Sequence, residues 1–372
     1  MVNLYIIGGA RPNFVKIAAL SHAFAAYKKS HPKSRFNARI INTGQHYDYL
    51  MSKKLFQDLG IPAPYADLEV GSSSHADQTA KIMTRFEALL LKEPADAVIV
   101  VGDVNSTLAC SLVASKMNIP VAHVESGLRS FDRTMPEEIN RRVTDVLSDY
   151  MFTTSRDADR NLIREGVPAK KIFFVGNVMV DTLLSNLSKA KKAGVPKKLG
   201  LKGPYAVLTL HRPSNVDREG DFSEILKAVD YLQKKMPVVF PVHPRTESKL
   251  KSGSLSREIS RMKNLRLCPP AGYLDFMSLL MDARLVLTDS GGIQEETTVL
   301  GVPCLTLRDN TERPVTLKQG TNFLAGRKSG KIISLADRIL SGKIKIKARK
   351  PAGWDGHASD RIVKILADKI GF

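Results

Sequence analysis

Short apolar runs alternate with longer amphipathic stretches along the whole chain. The apolar runs predict strands at 4–7, 38–42, 97–101, 121–124, 151–153 and 172–175 in the first half, and at 206–210, 238–242, 265–268, 285–287 and 304–307 in the second. Apolar residues at helical spacing predict helices that include 14–27, 77–91, 107–116, 138–147, 222–233 and 293–300. Strands that alternate with helices are typical of the α/β class, with parallel strands joined by crossover helices.

The chain length sets the number of domains. At roughly 150 residues per domain, the 372 residues favour two domains. A segment rich in Lys, Gly and Pro at 185–204 predicts a linker between a first domain at 1–184 and a second at 205–354. We expect two Rossmann-like, doubly wound domains that face each other across a cleft. Ligands of such sheets bind beyond the carboxyl ends of the strands.

Charge and composition exclude several function classes. Hydrophobic residues make up 43% of the chain and charged residues 25%, which is typical of folded proteins and excludes extensive disorder. The 56 Lys and Arg against 37 Asp and Glu give a net charge of +19. Much of this excess lies at 188–202 and 343–350, where no aromatic residues alternate with the lysines. We therefore expect solvated surface lysines and no nucleic-acid partner.

The remaining composition points to a cytoplasmic protein. No apolar run is long enough to span a membrane, and no basic leader precedes the first strand. The three cysteines, Cys110, Cys268 and Cys304, lie far apart and match no metal-ligand spacing. We expect neither a disulfide framework nor a metal site, and a reducing compartment.

Charged side chains follow the predicted strands of the first half. Arg11 and Lys16 come after the first strand, in and beyond the turn Gly-Gly-Ala-Arg-Pro, and are candidates for binding phosphate. This turn matches neither the dinucleotide fingerprint nor the P-loop, so no NAD cofactor is expected. Asp103 and Glu125 follow two later strands, and Glu137 begins the next helix. Three acids at one sheet edge suit proton transfer at a sugar carbon.

Each of these residues also has a purely structural interpretation. Asn105 and Ser106 are expected to cap the helix that follows Asp103. His123 and Glu125 share one face of a strand by their spacing, so a buried histidine paired with its neighbouring carboxylate is the structural alternative.

Similar alternatives apply to the helix that follows. Thr134 and Glu137 have capping-box spacing, and Pro136 suits the first turn of a helix. Glu137 and Arg141 are also spaced for a surface ion pair.

In the second half, histidine and arginine occur together twice after a strand. His211 and Arg212 follow one strand, and His243 and Arg245 follow the next. A diphosphate needs cationic and hydrogen-bonding groups of this type. The repetition favours a binding role over two isolated structural histidines.

The most specific local signal is the segment Thr-Asp-Ser-Gly-Gly-Ile-Gln-Glu-Glu at 288–296. Ser290, Gly291 and Gly292 lie between a strand and a helix, where free amides and the helix dipole attract phosphate. Glu296 lies early in that helix, and a carboxylate near a nucleotide can accept hydrogen bonds from both ribose hydroxyls. Arg313 belongs to a further polar segment after the next strand.

Taken in order, these motifs resemble the non-hydrolysing UDP-N-acetylglucosamine 2-epimerases, a family of the two-domain GT-B type. The motifs that carry the resemblance are Gly-Ala-Arg-Pro at 9–12, Thr-Gly-Gln-His at 43–46, Gly-Asp at 102–103, His-Val-Glu-Ser-Gly-Leu-Arg at 123–129, Pro-Glu-Glu-Ile-Asn-Arg at 136–141, His-Arg at 211–212, the segment at 288–296 and Thr-Glu-Arg-Pro at 311–314. The segment Trp-Asp-Gly-His-Ala-Ser at 354–359 resembles the family's entry to a last helix. In the family that helix, here within 355–372, packs back on the first domain.

The resemblance implies the reversible conversion of UDP-GlcNAc to UDP-ManNAc. In that family the C2 proton and UDP are lost to give 2-acetamidoglucal, and UDP adds back with protonation from the opposite face. By the same resemblance Asp103, Glu125 and Glu137 are acid/base candidates. Arg11, Lys16, Arg141 and His211 would stabilise the departing diphosphate, Ser290 and Gly291 would hold phosphate, and Glu296 would bind the ribose. The family also implies a homodimer.

Some positions depart from the enterobacterial pattern of the family. Asn13 and Ser214 stand where Glu is common, and Gln-His-Tyr-Asp at 45–48 replaces Gln-His-Arg-Glu. Because related enzymes bind a second, allosteric UDP-GlcNAc near Gln45, activation by substrate is in doubt here. A hydrolysing 2-epimerase, an epimerase of 2,3-diacetamido uronic acid sugars and a GT-B glycosyltransferase remain as alternatives.

Overall fold

The computed structural model describes residues 1–45, 49–242, 244–250, 253–346 and 349–372. The chain divides into two compact units. Unit 1 comprises Met1–Ser185 and Ala352–Phe372, and unit 2 comprises Asn186–Pro351.

Unit 1 has an alternating order of strands and helices. Its strands are β1 (Val2–Gly8), β2 (Phe36–Asn42), β3 (Ala66–Asp67), β4 (Ala97–Val101), β5 (Val121–Ser126), β6 (Tyr150–Thr153) and β7 (Ile172–Phe174). Its helices are α1 (Arg11–Ser30), α2 (Tyr49–Leu59), α3 (His75–Lys92), α4 (Asn105–Lys116), α5 (Pro136–Leu147), α6 (Arg156–Arg164) and the first half of α7 (Val178–Ala193), with a 3-10 turn at Ala169–Lys171.

Unit 2 repeats the same alternation. Its helices begin with α8 (Val195–Lys198), α9 (Pro213–Val216), α10 (Glu219–Gln233), α11 (Pro244–Leu250), α12 (Gly253–Ser260) and α13 (Tyr273–Met281), and continue with α14 (Gly291–Leu300), α15 (Pro314–Lys318) and α16 (Ser329–Leu340). Its strands are β8 (Ala206–Thr209), β9 (Val238–Pro241), β10 (Leu265–Cys268), β11 (Leu285–Thr288), β12 (Cys304–Thr306) and β13 (Asn322–Leu324). Helix α17 (Ala358–Leu366) and a π-helical turn at Ala367–Gly371 belong to unit 1.

Both sheets are parallel and doubly wound. The seven described strands of unit 1 have the order β3-β2-β1-β4-β5-β6-β7, and the six of unit 2 have the order β10-β9-β8-β11-β12-β13. The order reverses between β1 and β4 in unit 1 and between β8 and β11 in unit 2. Ligands of such sheets bind outside the carboxyl ends of the strands at this reversal.

The predicted strands all occur, and the predicted α/β class is confirmed. The two strands without a counterpart in the prediction, β3 and β13, have only two and three residues. Segments of that length carry no periodicity of their own, and they form because a neighbouring strand offers free backbone groups.

Burial explains why the central strands are continuously apolar. All five residues of β4, Ala-Val-Ile-Val-Val, are 0% exposed. β4 lies between β1 and β5 and, like other central strands of parallel sheets, is buried on both faces. The rigid sheet fixes the positions of the polar residues that follow β1, β4 and β5.

Residues 185–204, predicted to be a linker, hold the second half of α7 and helix α8. In α7, Leu183, Leu187 and Ala190 follow helical spacing; Leu183 and Ala190 are fully buried and Leu187 is partly buried. The many lysines on the other side of α7 obscure this period in the sequence. The boundary between the two units falls inside this helix.

The segment after Pro351 returns to unit 1. Trp354 is 1% exposed, and its indole N–H donates to the Thr154 carbonyl over 2.9 Å. The Asp181 carboxylate accepts hydrogen bonds from the backbone N–H groups of Ala358 and Ser359, which begin α17. Helix α17 packs against α1.

Across the described ranges, no helix has the length and apolar character that crossing a membrane requires.

Candidate functional site

The turn after β1 is held by Asn13 rather than by a charged group. Its Oδ1 accepts a hydrogen bond from the Ala10 N–H over 3.1 Å, and its Nδ2 donates to the Val101 carbonyl over 2.8 Å. Asn13 therefore joins the end of β1 to the end of β4, the two strands at the sheet reversal. An uncharged side chain suits this position, because Asn13 is 2% exposed.

Lys16 and Glu125 form a buried ion pair at the same edge. Their Nζ and Oε2 atoms are 2.5 Å apart, and the side chains are 7% and 2% exposed. Glu125 has φ +75° and lies between the paired residues Val124 and Ser126, where the register of β5 with β6 shifts. Such a bulge re-aims a side chain at the end of a strand. The left-handed backbone costs on the order of 1–3 kcal/mol, which is typical of functional sites.

Asp103 and Arg141 form a second ion pair beside the first. Arg141 is 1% exposed; its guanidinium binds the Asp103 carboxylate and, over 2.8 Å, Glu138 Oε2. Glu138 also accepts hydrogen bonds from the Ser130 backbone and hydroxyl, and these contacts with Arg141 hold its pKa below the ordinary value although burial opposes this. The Asp103 side chain is 22% exposed, so this carboxylate remains accessible.

The structure thus brings Lys16, Asp103, Glu125 and Arg141 together at the ends of β4 and β5. A Cβ placed on Gly102 would lie 3.0 Å from Lys16 Nζ, which puts that ammonium directly beside the Asp103 segment. Each of the two carboxylates lies beside a buried cation that stabilises its ionised form. Carboxyl groups placed in this way can take part in proton transfer.

Two further candidates of unit 1 lie on the helices that carry these two cations, Glu137 on α5 with Arg141 and Arg11 on α1 with Lys16. Glu137 is half-buried one helical turn before Arg141, and its side chain makes no hydrogen bond or ion pair with the described residues. Arg11 is half-buried and is the first residue of α1.

Four structural interpretations from the sequence are wrong. His123 pairs with Asp145, not with Glu125, because the bulge interrupts the alternation of β5. Asn105 and Ser106 do not cap α4; they lie inside it, and their side chains bind Gln78 and Gln45.

The third wrong interpretation concerns the start of α5. Its N-cap is Met135, so the Thr134–Glu137 capping box is absent there, although Pro136 does occupy the first turn as predicted. The Thr134 hydroxyl binds Asp132 instead. The fourth wrong interpretation is the ion pair of α5, which joins Arg141 to Glu138 and not to Glu137.

In unit 2, Asp289 organises the residues at the ends of β8 and β11. It is fully buried, and its carboxylate accepts hydrogen bonds from the backbone N–H groups of His211 and Arg212 and from Asn215 Nδ2. His211 Nδ1 lies 2.7 Å from Asp289 Oδ1. Burial alone would raise the pKa of Asp289, but His211 and the backbone N–H groups lower it to about 2. The ionised Asp289 therefore orients the His211 ring, which is 47% exposed.

Arginines cluster around a buried carboxylate beside the start of α14. Glu312, 2% exposed, binds Arg308 Nη2 over 2.7 Å and also binds the guanidinium of Arg313. Arg313 Nε lies 2.8 Å from Glu295 Oε1, and its guanidinium lies against Gly291. Fixed arginines next to a helix N-terminus make a site suited to a phosphate group.

The start of α14 presents backbone groups to this cluster. Ser290 is the N-cap without a side-chain capping bond, and Gly291 and Gly292 are the first two helical residues, all three half-buried.

Glu296 lies further along α14 and is 6% exposed. Burial and the neighbouring Glu295 carboxylate raise the pKa of Glu296 to about 8, although the Tyr273 hydroxyl acts in the opposite direction. At neutral pH this carboxyl is therefore mostly protonated in the free protein.

Some predicted positions are not described. His243 lies outside the described residues, as do His46, Tyr47 and Asp48, and the side chains of Arg245 and Ser214 are not described either. Across the remaining residues, no group of three or more His, Cys, Asp or Glu side chains could hold a metal ion.

Sequence reasoning missed the residues that support the candidates. Asp145 and Glu138 were not predicted; they share one face of α5 with the predicted Arg141, a spacing that could have indicated a buried charged network. Glu312, flanked by Arg308 and Arg313, could similarly have been recognised as the centre of an arginine cluster.

Comparison with known proteins now identifies the family. Residues 28–367 match the family model described as UDP-N-acetylglucosamine 2-epimerase. The chain belongs to this family. It is 42% identical to the UDP-N-acetylglucosamine 2-epimerase of Methanocaldococcus jannaschii over 98% of this chain and 99% of the relative. It is also 39% identical to the UDP-2,3-diacetamido-2,3-dideoxy-D-glucuronate 2-epimerase of Pseudomonas aeruginosa, over 98% and 99%.

A solved structure of the 2-epimerase family confirms the predicted fold class. The crystal structure of the M. jannaschii enzyme in complex with UDP-GlcNAc and UDP has a TM-score of 0.90 to this chain, with 42% identity and coverage of 99% of this chain and 100% of the other. The predicted relationship to UDP-N-acetylglucosamine 2-epimerases and the predicted GT-B class are both confirmed.

Proposed function

We propose that this family member interconverts UDP-GlcNAc and UDP-ManNAc without hydrolysis, by elimination and re-addition of UDP. A base removes the C2 proton while the bond between C1 and the diphosphate oxygen breaks, leaving 2-acetamidoglucal and UDP. UDP then adds back to C1, and an acid delivers a proton to the opposite face of C2. Because the two protons travel on opposite faces, one carboxyl group cannot serve both steps.

The observation that carries this proposal is a pair of carboxylates, the accessible Asp103 and the buried Glu125. Each of them forms an ion pair with its own cation. We assign these two residues and Glu137 to proton transfer at C2. The ion pairs with Arg141 and Lys16 keep Asp103 and Glu125 close to fixed positive charge. The same cations, together with Arg11, would offset the negative charge of the departing diphosphate, which is the main electrostatic demand of the elimination.

The residues of unit 2 are assigned to the nucleotide. Ser290, Gly291 and Gly292 offer backbone N–H groups to phosphate, and Arg313 supplies a fixed guanidinium. His211, oriented by Asp289, is assigned to the leaving diphosphate oxygen, and Glu296 to the ribose. His243 and Arg245 remain candidates for the diphosphate from the sequence alone. The relative that binds UDP-GlcNAc and UDP supports a UDP-sugar as the substrate.

One experiment separates the proposed reaction from its alternatives. Purified protein is incubated with UDP-GlcNAc in D2O, without added NAD or metal, and followed by proton NMR. We expect UDP-ManNAc and deuterium at C2 of both sugars. Free ManNAc would identify a hydrolysing enzyme instead. No reaction with UDP-GlcNAc, but turnover of a 2,3-diacetamido uronic acid UDP-sugar, would place the chain with the P. aeruginosa relative.

A variant pair tests the assigned base. Asp103→Asn is expected to abolish C2 exchange and to leave UDP affinity within about threefold of wild type. Glu87→Gln, at an exposed position of α3, is the matched control and should exchange at the wild-type rate. Normal exchange by Asp103→Asn would remove Asp103 from the reaction.

We also propose a homodimer formed through α5. Ile139, Val143 and Val146 make an apolar stripe along this helix and are 47%, 38% and 79% exposed. A stripe on one helix can pair with the same stripe of a second copy around a two-fold axis. Light scattering should give twice the chain mass for wild type and the chain mass for Val146→Glu, whereas a monomeric wild type would contradict this assignment.

A location in the cytoplasm is part of the same proposal. Cys110, Cys268 and Cys304 are unpaired, and Cys110 and Cys304 are buried. Free thiols are typical of proteins in a reducing compartment such as the cytosol.

A further inference from the structure

Buried His123 is a polar side chain to which the proposed reaction gives no step. It lies on β5 and is 0% exposed. Its Nδ1 is 2.7 Å from Asp145 Oδ1, and its Nε2 is 2.8 Å from the Gly102 carbonyl oxygen. A carbonyl oxygen only accepts hydrogen bonds, so Nε2 is a donor. The ring therefore holds the residue that directly precedes Asp103.

Asp145 fixes the other side of the ring. Its Oδ2 accepts a hydrogen bond from the Gly127 N–H over 3.1 Å and lies 2.7 Å from Arg129 Nη2. Burial would raise the pKa of Asp145, but His123 and Arg129 hold it below the ordinary value. The ionised Asp145 thus accepts from Nδ1 and orients the ring toward Gly102. Arg129 is itself anchored on Glu165.

Helix α5 contacts the Asp103 segment at three points. Arg141 binds the Asp103 carboxylate, Asn140 Nδ2 donates to the Asp103 carbonyl over 2.9 Å, and Asp145 acts on Gly102 through His123. Gly102 has φ +72°, and its N–H donates to the Val124 carbonyl over 3.0 Å. Removing the histidine would take this hydrogen bond away from the buried Gly102 carbonyl oxygen.

Asp145 also reaches the segment that carries the second carboxylate. Its partner Gly127 lies two residues after Glu125, beyond the bulge of β5. One buried carboxylate therefore connects to the backbone beside Asp103 and beside Glu125. A displacement of about 1 Å at a catalytic group can cost on the order of 100-fold in rate, so this shared anchor bears directly on turnover.

We propose that His123 and Asp145 are positioning residues that hold Asp103 and Glu125 in register for proton transfer at C2. This inference rests on the proposed function. It assigns neither residue a contact with the substrate. The effect is on the rate of proton transfer, and binding of the nucleotide by unit 2 is expected to be unchanged.

Two substitutions of His123 separate positioning from simple packing. His123→Gln places an amide donor near the Nε2 position and can keep the bond to Gly102, whereas His123→Asn keeps a donor only near Nδ1. We expect kcat for C2 exchange in D2O to fall about 100-fold in His123→Asn and at most about tenfold in His123→Gln. KM for UDP-GlcNAc should stay within about threefold of wild type in both.

The control is Asp181→Asn, which weakens another buried carboxylate of unit 1, the one that holds the start of α17. It should lower the unfolding temperature and leave kcat unchanged when assayed well below that temperature. If Asp181→Asn lowers kcat as much as His123→Asn, general loss of packing explains the effect and the inference is overturned. Equal kcat values for His123→Asn and His123→Gln would overturn it as well.

The outcomes also distinguish this inference from the function on which it rests. Wild-type protein that exchanges no deuterium refutes the proposed function. Wild-type exchange together with an unchanged His123→Asn refutes the positioning role alone. Should His123→Asn fail to fold, the isosteric Asp145→Asn carries the test, with the same expected loss of kcat; an unchanged kcat would refute the role.

Discussion

We predict that the raised pKa of Glu296, the residue assigned to the ribose, makes nucleotide binding dependent on pH. Burial and the Glu295 carboxylate raise this pKa to about 8, so the free protein holds Glu296 mostly as the neutral acid at pH 7. An ionised carboxylate can accept a hydrogen bond from each ribose hydroxyl. In the neutral acid one oxygen carries a proton, so the group accepts less well. Binding through the carboxylate therefore requires loss of a proton.

The size of the effect follows from the fraction of ionised Glu296. The apparent Kd equals the intrinsic value divided by that fraction. With a pKa of about 8, the fraction is roughly 0.75 at pH 8.5, roughly 0.1 at pH 7 and roughly 0.03 at pH 6.5. The apparent Kd for UDP-GlcNAc should thus increase about 25-fold between pH 8.5 and 6.5.

The pH dependence of the apparent Kd can be measured without turnover by calorimetry of UDP-GlcNAc binding to Asp103→Asn protein. The diphosphate of UDP-GlcNAc does not titrate in this range, which is why it is preferred over UDP. The contribution of Glu296 is the difference in binding between this protein and the double variant Asp103→Asn/Glu296→Gln. The number of protons released on binding follows from the change of the binding enthalpy between buffers of different ionisation enthalpy. Asp103→Asn protein should release about 0.9 proton at pH 7, and the double variant should release none.

A Kd that is constant from pH 6.5 to 8.5 relative to the Glu296→Gln protein, with no proton release, would refute the reasoning. Either Glu296 would then be ionised before binding, or its carboxylate would make no contact with the nucleotide.

Two further predictions concern stability. Lys16→Met removes the cation of a buried ion pair and should lower the free energy of unfolding, measured in urea, by about 3–5 kcal/mol. The double variant Lys16→Met/Glu125→Gln should recover most of this loss. A further, additive loss in the double variant would show that the two side chains are not coupled. Gly176→Ala would place a Cβ against the Gly353 carbonyl at φ +94° and should cost at least about 2 kcal/mol. Gly166→Ala, at φ +86° with no atom within 4 Å, should cost about 1 kcal/mol, and equal losses would mean that the contact with Gly353 is unimportant.

Sequence patterns predicted the strands and the edge of each sheet at which the candidate residues lie, because continuous apolar runs such as 97–101 leave little choice of structure. The positions of Asp103 and Asp289 after strands were equally readable. These residues lie where the strand order of each sheet reverses.

The partners of those residues were not readable from local patterns. Asp145 meets His123 across 22 residues of sequence, and Asp289 meets His211 across 78. The bulge at Glu125 depends on how β5 pairs with β6, so the alternation of side chains gave the wrong partner for His123. Contacts of this kind arise from tertiary packing, which the periodicity of a sequence does not predict.

The return of residues 352–372 to unit 1 has a consequence for synthesis of the protein. Unit 2 is one continuous segment, inserted between the two segments that build unit 1. On the ribosome, unit 2 can therefore complete its core while unit 1 still lacks the indole that fills its Trp354 pocket. Unit 1 is expected to reach its final stability after unit 2, although its first strand is made first.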